Sequence, residues 1–225
     1  MRILAFETTG LAGSVAALDD ERVELARALP AERRSAQTLA VGLREALAAV
    51  GWRPRDVELI AVAVGPGSFT GLRVGIATAK MLTYAIGCPL IGVPTLAAIA
   101  SQAPADASPL WVALDAQRGE LYAARYGAEL ATLRPTEIIG AAAFLAGLAP
   151  GDAVTGPALE TLAPKLPTGT RVVDRALWAP SATAVGRMAL RDYRIGRRDD
   201  PFQLAPVYLR RTAAEEQWER RTPRR

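Results

Sequence analysis

Two short stretches carry the residue types that phosphate chemistry needs. Glu7-Thr8-Thr9 follows an apolar run, Ile3 to Phe6, and sets a carboxylate beside two hydroxyls at a turn. Gly65-Pro66-Gly67-Ser68-Phe69-Thr70-Gly71 follows a second apolar run, Leu59 to Val64. A carboxylate can hold a metal-bound phosphate, and a glycine turn at the head of a helix can present N–H groups to an anion. Asp115 closes a third apolar run, Leu110 to Leu114, and is a carboxylate of the same kind as Glu7. The same residues have a plainer use: hydroxyls and carboxylates bond the N–H groups of their own turns, and glycines serve turn geometry. The glycine stretch is neither a Walker loop nor a dinucleotide fingerprint, since it lacks both Gly-Lys-Ser/Thr and Gly-x-Gly-x-x-Gly.

The elements that must position these residues follow from patterning. Ile3 to Phe6, Ser14 to Leu18 and Val23 to Leu29 predict a three-stranded antiparallel meander. Ser35 is the expected N-cap of a helix from Ala36 to Val50, with Leu39, Leu43, Ala46 and Leu47 on the stripe that meets the sheet and Gln37, Val41 and Arg44 elsewhere. Leu59 to Val64 reads as a buried strand, and Ser68 or Thr70 as the cap of the helix that carries Arg73, Lys80 and Tyr84. Gly67, Gly71, Gly75 and Ala79 recur every fourth residue, so one face of this helix is almost bare. A bare face allows close approach of another element, which is either part of the same core or a protein partner. Pro89 to Val93 predicts another strand, with Thr95 capping a further helix. After the Pro-rich stretch Ala103 to Pro109 the pattern restarts with strands, then helices near 159–166 and 181–194, predicting an internal duplication. The expected units are residues 1–102 and 103–209, followed by a disordered basic tail at 210–225.

Composition narrows the chemistry. The 225 residues are 50% hydrophobic, enough for a folded core. The net charge is +4, but residues 210–225 supply +3 of it, so the body carries no basic excess that would mark a nucleic-acid surface. A salt-sensitive RNA contact through Arg197, Arg198 and the tail is the reading that remains for direct nucleic-acid binding. There is no histidine, and Cys88 is the single cysteine. Histidine bases, Ser-His-Asp triads, histidine-bound metals, cysteine zinc clusters and intrachain disulfides are thereby removed. No signal peptide and no membrane-spanning run can be read, and a cytoplasmic location is expected.

With these pieces placed, the chain resembles the TsaB (YeaZ) family. The resemblance rests on Gly-Pro-Gly-Ser-Phe-Thr-Gly-Leu-Arg-Val-Gly at 65–75, Ile-Gly-Val-Pro-Thr-Leu at 91–96, Asp-Ala-Gln-Arg-Gly-Glu-Leu-Tyr at 115–122 and the closing Pro-Val-Tyr-Leu-Arg at 206–210. It implies a two-lobed, duplicated α/β fold of the actin/hexokinase/Hsp70 type with ribonuclease H-like halves. It also implies a role in threonylcarbamoylation of adenosine 37 of tRNA, as a non-catalytic partner of the catalytic subunit TsaD, with TsaE, touching tRNA only through the complex and pairing with itself when alone. The family's partner contact is a helical bundle, which maps onto Ser35, Gln37, Val41, Arg44, Gly71, Arg73, Gly75 and Ala79 of this chain. Glu7, Thr8, Thr9, Gly65, Gly67, Ser68, Thr70 and Asp115 are the candidates for degenerate phosphate loops. No metal and no required cofactor is implied, and ATP or ADP at the cleft or partner interface is left open. The chain departs from the family at Glu7-Thr8-Thr9, where Asp-Thr-Ser is common, and at Arg34-Ser35-Ala36-Gln37, where a histidine usually precedes the serine. The alternative is a nucleotide-dependent phosphotransferase of the same fold, using Glu7 or Asp115 for magnesium-bound phosphate.

Overall fold

A computed structural model describes residues 1–10, 12–30 and 35–210, with side chains from Gln37 onward in the last segment. Five strands form the first sheet in the order β3-β2-β1-β4-β5: β1 Arg2–Glu7, β2 Ser14–Asp19, β3 Arg22–Ala28, β4 Leu59–Gly65 and β5 Leu90–Pro94. The first three make the expected antiparallel meander, while β4 and β5 join in parallel. β4 is buried at every position because helices cover both faces of the sheet, which is why it reads as an unbroken apolar run.

The second sheet repeats the plan. Its strands are β6 Leu110–Asp115, β7 Glu120–Tyr126, β8 Thr132–Gly140, β9 Ala153–Thr155 and β10 Arg171–Val172, ordered β10-β9-β6-β7-β8. Read from β8, this is the order of the first sheet, again with an antiparallel meander and two parallel strands. The duplicated, two-lobed α/β architecture expected from the sequence is therefore present.

Helices α1 Ser35–Ala49 and α2 Phe69–Ile86 lie on one face of the first sheet, where Leu39, Leu43, Ala46 and Ile76 pack on Leu4, Phe6, Ile60 and Val62. The short helix α3 Thr95–Ala100 sits between the two sheets: Ala98 joins the core of the first, while Leu96 and Ile99 pack on Leu110 and Val112 of the second. α4 Ala141–Ala146 and α5 Leu159–Leu162 cover the outer face of the second sheet through Phe144 and Leu159.

Two sequence expectations need correction. The helix α6 Ala182–Arg194, expected in a second unit ending at 209, instead covers the first sheet, with Val185 and Ala189 packed on Ile3, Ala5 and Leu18. Its Gly186 allows this approach, because a Cβ there would stand 2.6 Å from Leu18 Cδ1 and 3.1 Å from Ala5 Cβ. Thr95 does not cap α3: Pro94 holds the N-cap position, and the buried Thr95 hydroxyl has no partner. Arg33, Arg34 and the tail from Arg211 lie outside the described residues, as does the capping side chain expected at Ser35. No helix among the described residues is long and apolar enough to cross a membrane.

Candidate functional site

β1 and β4 are parallel neighbours, so the turns that follow Glu7 and Gly65 emerge side by side at one end of the first sheet. They are stitched together rather than held apart. The Thr8 hydroxyl donates to the Gly71 carbonyl at 2.8 Å, and the Ser68 N–H donates to the Thr9 carbonyl at 2.8 Å. Ser68, the N-cap of α2, accepts from the Gly71 N–H at 3.3 Å. The glycines make this closeness possible: a Cβ on Gly71 would lie 1.9 Å from the Thr8 carbonyl oxygen, one on Gly75 2.4 Å from Thr8 Oγ1, and one on Gly67 2.5 Å from Thr9 Cβ. The bare face of α2 is thus seated on the Thr8–Thr9 turn of its own chain. That corrects the interface expectation for Gly71, Gly75 and Ala79, all of which are buried within the lobe.

Glu7 is 1% exposed. One carboxylate oxygen accepts from the Thr9 N–H, the Thr9 hydroxyl and the Gly10 N–H. Among the described residues no cation pairs with it, unlike the buried Asp152, which Arg125 meets at 2.6 Å and Trp111 Nε1 at 3.2 Å. Desolvation therefore dominates and pushes the Glu7 pKa up to about 7, against the pull of the Thr9 and Gly10 donors.

The Thr8 and Thr9 hydroxyls and the N–H groups of Thr9, Gly10, Ser68 and Gly71 are directed at protein acceptors, so these donors are engaged within the fold. Thr70 is exposed on the first turn of α2. Asp115 points its carboxylate at the Gln117 N–H, 2.7 Å away, in a turn of its own. No group of three His, Cys, Asp or Glu side chains among the described residues is placed to hold a metal.

What covers the glycine turn is the closing segment of the chain. Val207 N–H donates to the Val64 carbonyl at 2.8 Å, and the Tyr208 ring stacks on Phe69 at 5.2 Å. The Arg73 guanidinium lies 4.0 Å from the centre of the Phe69 ring, and its Nε donates to the Tyr208 hydroxyl at 3.1 Å. Arg210 then reaches the second lobe, donating to the Ala116 carbonyl at 2.7 Å and pairing with Glu120. Three of the sequence motifs thus meet in one strap that ties the lobes together. Tyr208→Ala is expected to cost about 1 kcal/mol of stability and to speed hydrogen exchange at Val207; unchanged exchange would show that the stack does not hold the strap.

The outer faces of α1 and α2 remain open to solvent. Gln37 and Arg44 are exposed, Val41 is 45% exposed, Met81 63% and Tyr84 87%. Met81 and Tyr84 were not singled out from sequence as surface residues, although their i, i+3 spacing puts them on one stripe opposite Ala79 and Thr83. Arg197 is held by Asp192 and Asp199 at 2.7 and 2.8 Å, and Arg198 lies over the Tyr193 ring, so neither is a loose cation of the kind expected for an RNA contact.

A duplicated α/β scaffold whose Thr8–Thr9 and glycine turns are bonded to each other, with Val41, Met81 and Tyr84 exposed on α1 and α2, defines the class. Residues 29–187 match the TsaD family, described as tRNA N6-adenosine threonylcarbamoyltransferase. An uncharacterized protein of Mycobacterium tuberculosis is 34% identical over 202 residues, 87% of this chain and 82% of that one. The tRNA threonylcarbamoyladenosine biosynthesis protein TsaB of Escherichia coli is 38% identical over 128 residues, 56% of this chain and 55% of its own. The solved structure of YeaZ from Pseudomonas aeruginosa superposes with a TM-score of 0.78 at 26% identity, covering 92% of this chain and 99% of that one. The chain belongs to the TsaD family, on its TsaB (YeaZ) side.

Proposed function

We propose that this chain is a scaffold subunit in tRNA N6-threonylcarbamoyladenosine biosynthesis, which binds a TsaD-type transferase through the outer faces of α1 and α2 and performs no transfer itself. The observation that carries this reading is the exposure of large apolar side chains on two neighbouring helices, Val41 on α1 and Met81 and Tyr84 on α2, referred to below as the strip. Large apolar side chains left in water on adjacent elements favour burial by a partner. Gln37 and Arg44 flank the strip and supply polar rim contacts, while Arg73 faces the strap. The absence of histidine from the sequence and the engaged donors of the Thr8–Thr9 and glycine turns support a subunit that leaves the chemistry to its partner. In the cytoplasm this assembly would include a TsaE-type ATPase and contact tRNA through the transferase, and at high concentration without it the same strip would pair two copies of the chain.

The test is association with a purified TsaD-type transferase followed by light scattering and calorimetry. Tyr84→Arg and Val41→Arg place charges on already exposed positions, so the fold is retained, and each is expected to weaken the complex about 30-fold. Unchanged affinity in both would remove this surface from consideration. A reconstituted modification assay separates scaffold from enzyme: the tRNA mark should need both proteins, and full activity without this chain would end the proposal.

A further inference from the structure

A cavity of about 370 Å³ opens where α6 and the end of α3 face two loops of the second lobe, well away from the strip on α1 and α2. Three side chains of α6 line it at four-residue spacing: Thr183, Arg187 and Arg191. That spacing stacks them on one face of the helix, one turn apart. Among the described residues Arg187 has neither an ion pair nor a hydrogen bond, and the Thr183 hydroxyl also lacks a partner. Arg191 approaches only Asp192, at 3.6 Å, and that carboxylate is already held at 2.7 Å by Arg197. No carboxylate among the described residues lines the cavity. The Gln102 and Ser181 polar groups at its edge bond each other and the Leu177 and Ala179 carbonyls, so they form a fixed rim.

Apart from Ser101, whose hydroxyl donates to the Ala98 carbonyl at 2.8 Å, the rest of the wall is apolar: Leu130 and Leu177 from the second lobe and Ala184 and Met188 from α6. Leu130 at φ 61° follows Glu129 at φ 53°, the left-handed pair of a two-residue turn between β7 and β8 closed by the Ala131 N–H on the Ala128 carbonyl, so the hairpin fixes the place of this side chain in the wall.

We propose that this interlobe cavity binds a small organic phosphate, with the phosphate on Arg187 and Arg191, its oxygen within reach of Thr183, and an apolar or aromatic body against Leu130, Leu177 and Met188. Two guanidinium groups one turn apart match the several oxygens of a phosphate monoester, and the volume is that of a small-molecule site. Arg187 and Arg191 are exposed, and the apolar wall of Leu130, Leu177 and Met188 favours a small ester over a nucleic-acid backbone, which needs an open track of cations. This reading is independent of the partner proposal, and its test requires no partner.

The test is calorimetric titration of the full chain with phenyl phosphate, inorganic phosphate and phenol. Phenyl phosphate should bind saturably and inorganic phosphate more weakly, while phenol should not saturate. Arg187→Ala and Arg191→Ala should each lower phenyl phosphate affinity about tenfold. Arg194→Ala, whose side chain pairs with Glu21 outside the cavity, should leave it unchanged. Failure of phenyl phosphate to saturate, or an equal loss in Arg194→Ala, would overturn the proposal. So would a single-stranded RNA oligomer that binds through Arg187 with steep salt dependence while phenyl phosphate does not bind.

Discussion

Gly71→Ala is expected to lower the free energy of unfolding by about 3 kcal/mol, the upper part of the range for overpacking, and the thermal midpoint by roughly 10 °C. The added methyl would lie 1.9 Å from the Thr8 carbonyl oxygen and 3.0 Å from its carbon, both backbone atoms that no rotamer change can move aside. Either α2 must slide off the end of β1 or the Thr8–Thr9 turn must shift. The first breaks the Thr8 hydroxyl bond to the Gly71 carbonyl, and the second breaks the Ser68 N–H bond to Thr9. Gly140→Ala is the control, since a Cβ there meets nothing within 4 Å and the change only replaces glycine at the N-cap of α4, a loss of about 1 kcal/mol. Chemical denaturation of the three proteins reads both effects. Equal stability of Gly71→Ala and Gly140→Ala would mean that the two turns are not in contact in solution.

The glycine stripe also marks where sequence reasoning divides. Period four told that α2 has a bare face, but the same bareness serves a partner or the chain's own turn. Only the tertiary meeting of β1 and β4 chooses between them, through the Thr8 and Thr9 contacts. The meander, the buried run of β4 and the apolar stripe of α1 were legible because each is fixed by local periodicity and capping. The place of α6 was not, since an amphipathic helix states that it has a core face and not which sheet it will cover. The duplication was read as architectural only, and the structure extends it to residues: Thr155-Gly156-Pro157 at the end of β9 repeats Val64-Gly65-Pro66 at the end of β4. Both glycines adopt left-handed φ, 115° and 110°, and each stands against backbone, Ala113 in one half and Val207 in the other. The strap was seen only as a closing motif, because nothing local in Pro206 to Arg210 tells that its partners lie at Phe69, Arg73 and Glu120. The cavity beside α6 was missed too, although Thr183, Arg187 and Arg191 at four-residue spacing are the part of it that a helical projection would have displayed.

Glu7 gives the chain a pH dependence opposite in sign to that of an ordinary paired carboxylate. Its folded pKa of about 7 lies above the ordinary value of 4.5 because burial without a cation penalises the charge more than the Thr9 and Gly10 donors support it. Between those two values the folded protein keeps a proton that the unfolded chain has released, so stability falls as the pH rises through this window. The loss is complete above about 7 and amounts to about 3 kcal/mol for a shift of this size. Glu7→Gln keeps an acceptor oxygen for Thr9 and Gly10 and is neutral at every pH. It is therefore expected to match the parent near pH 4.5, to exceed its stability by up to about 3 kcal/mol at pH 8, and to lack the slope between. Urea unfolding of both proteins at intervals from pH 4.5 to 8 measures the difference, and parallel curves would mean that Glu7 ionises as freely in the folded chain as in the unfolded one. The Glu7-Thr8-Thr9 turn, which most resembles catalytic machinery in the sequence, is bonded in the fold to its own backbone through Glu7 and to the start of α2 through Thr8 and Thr9.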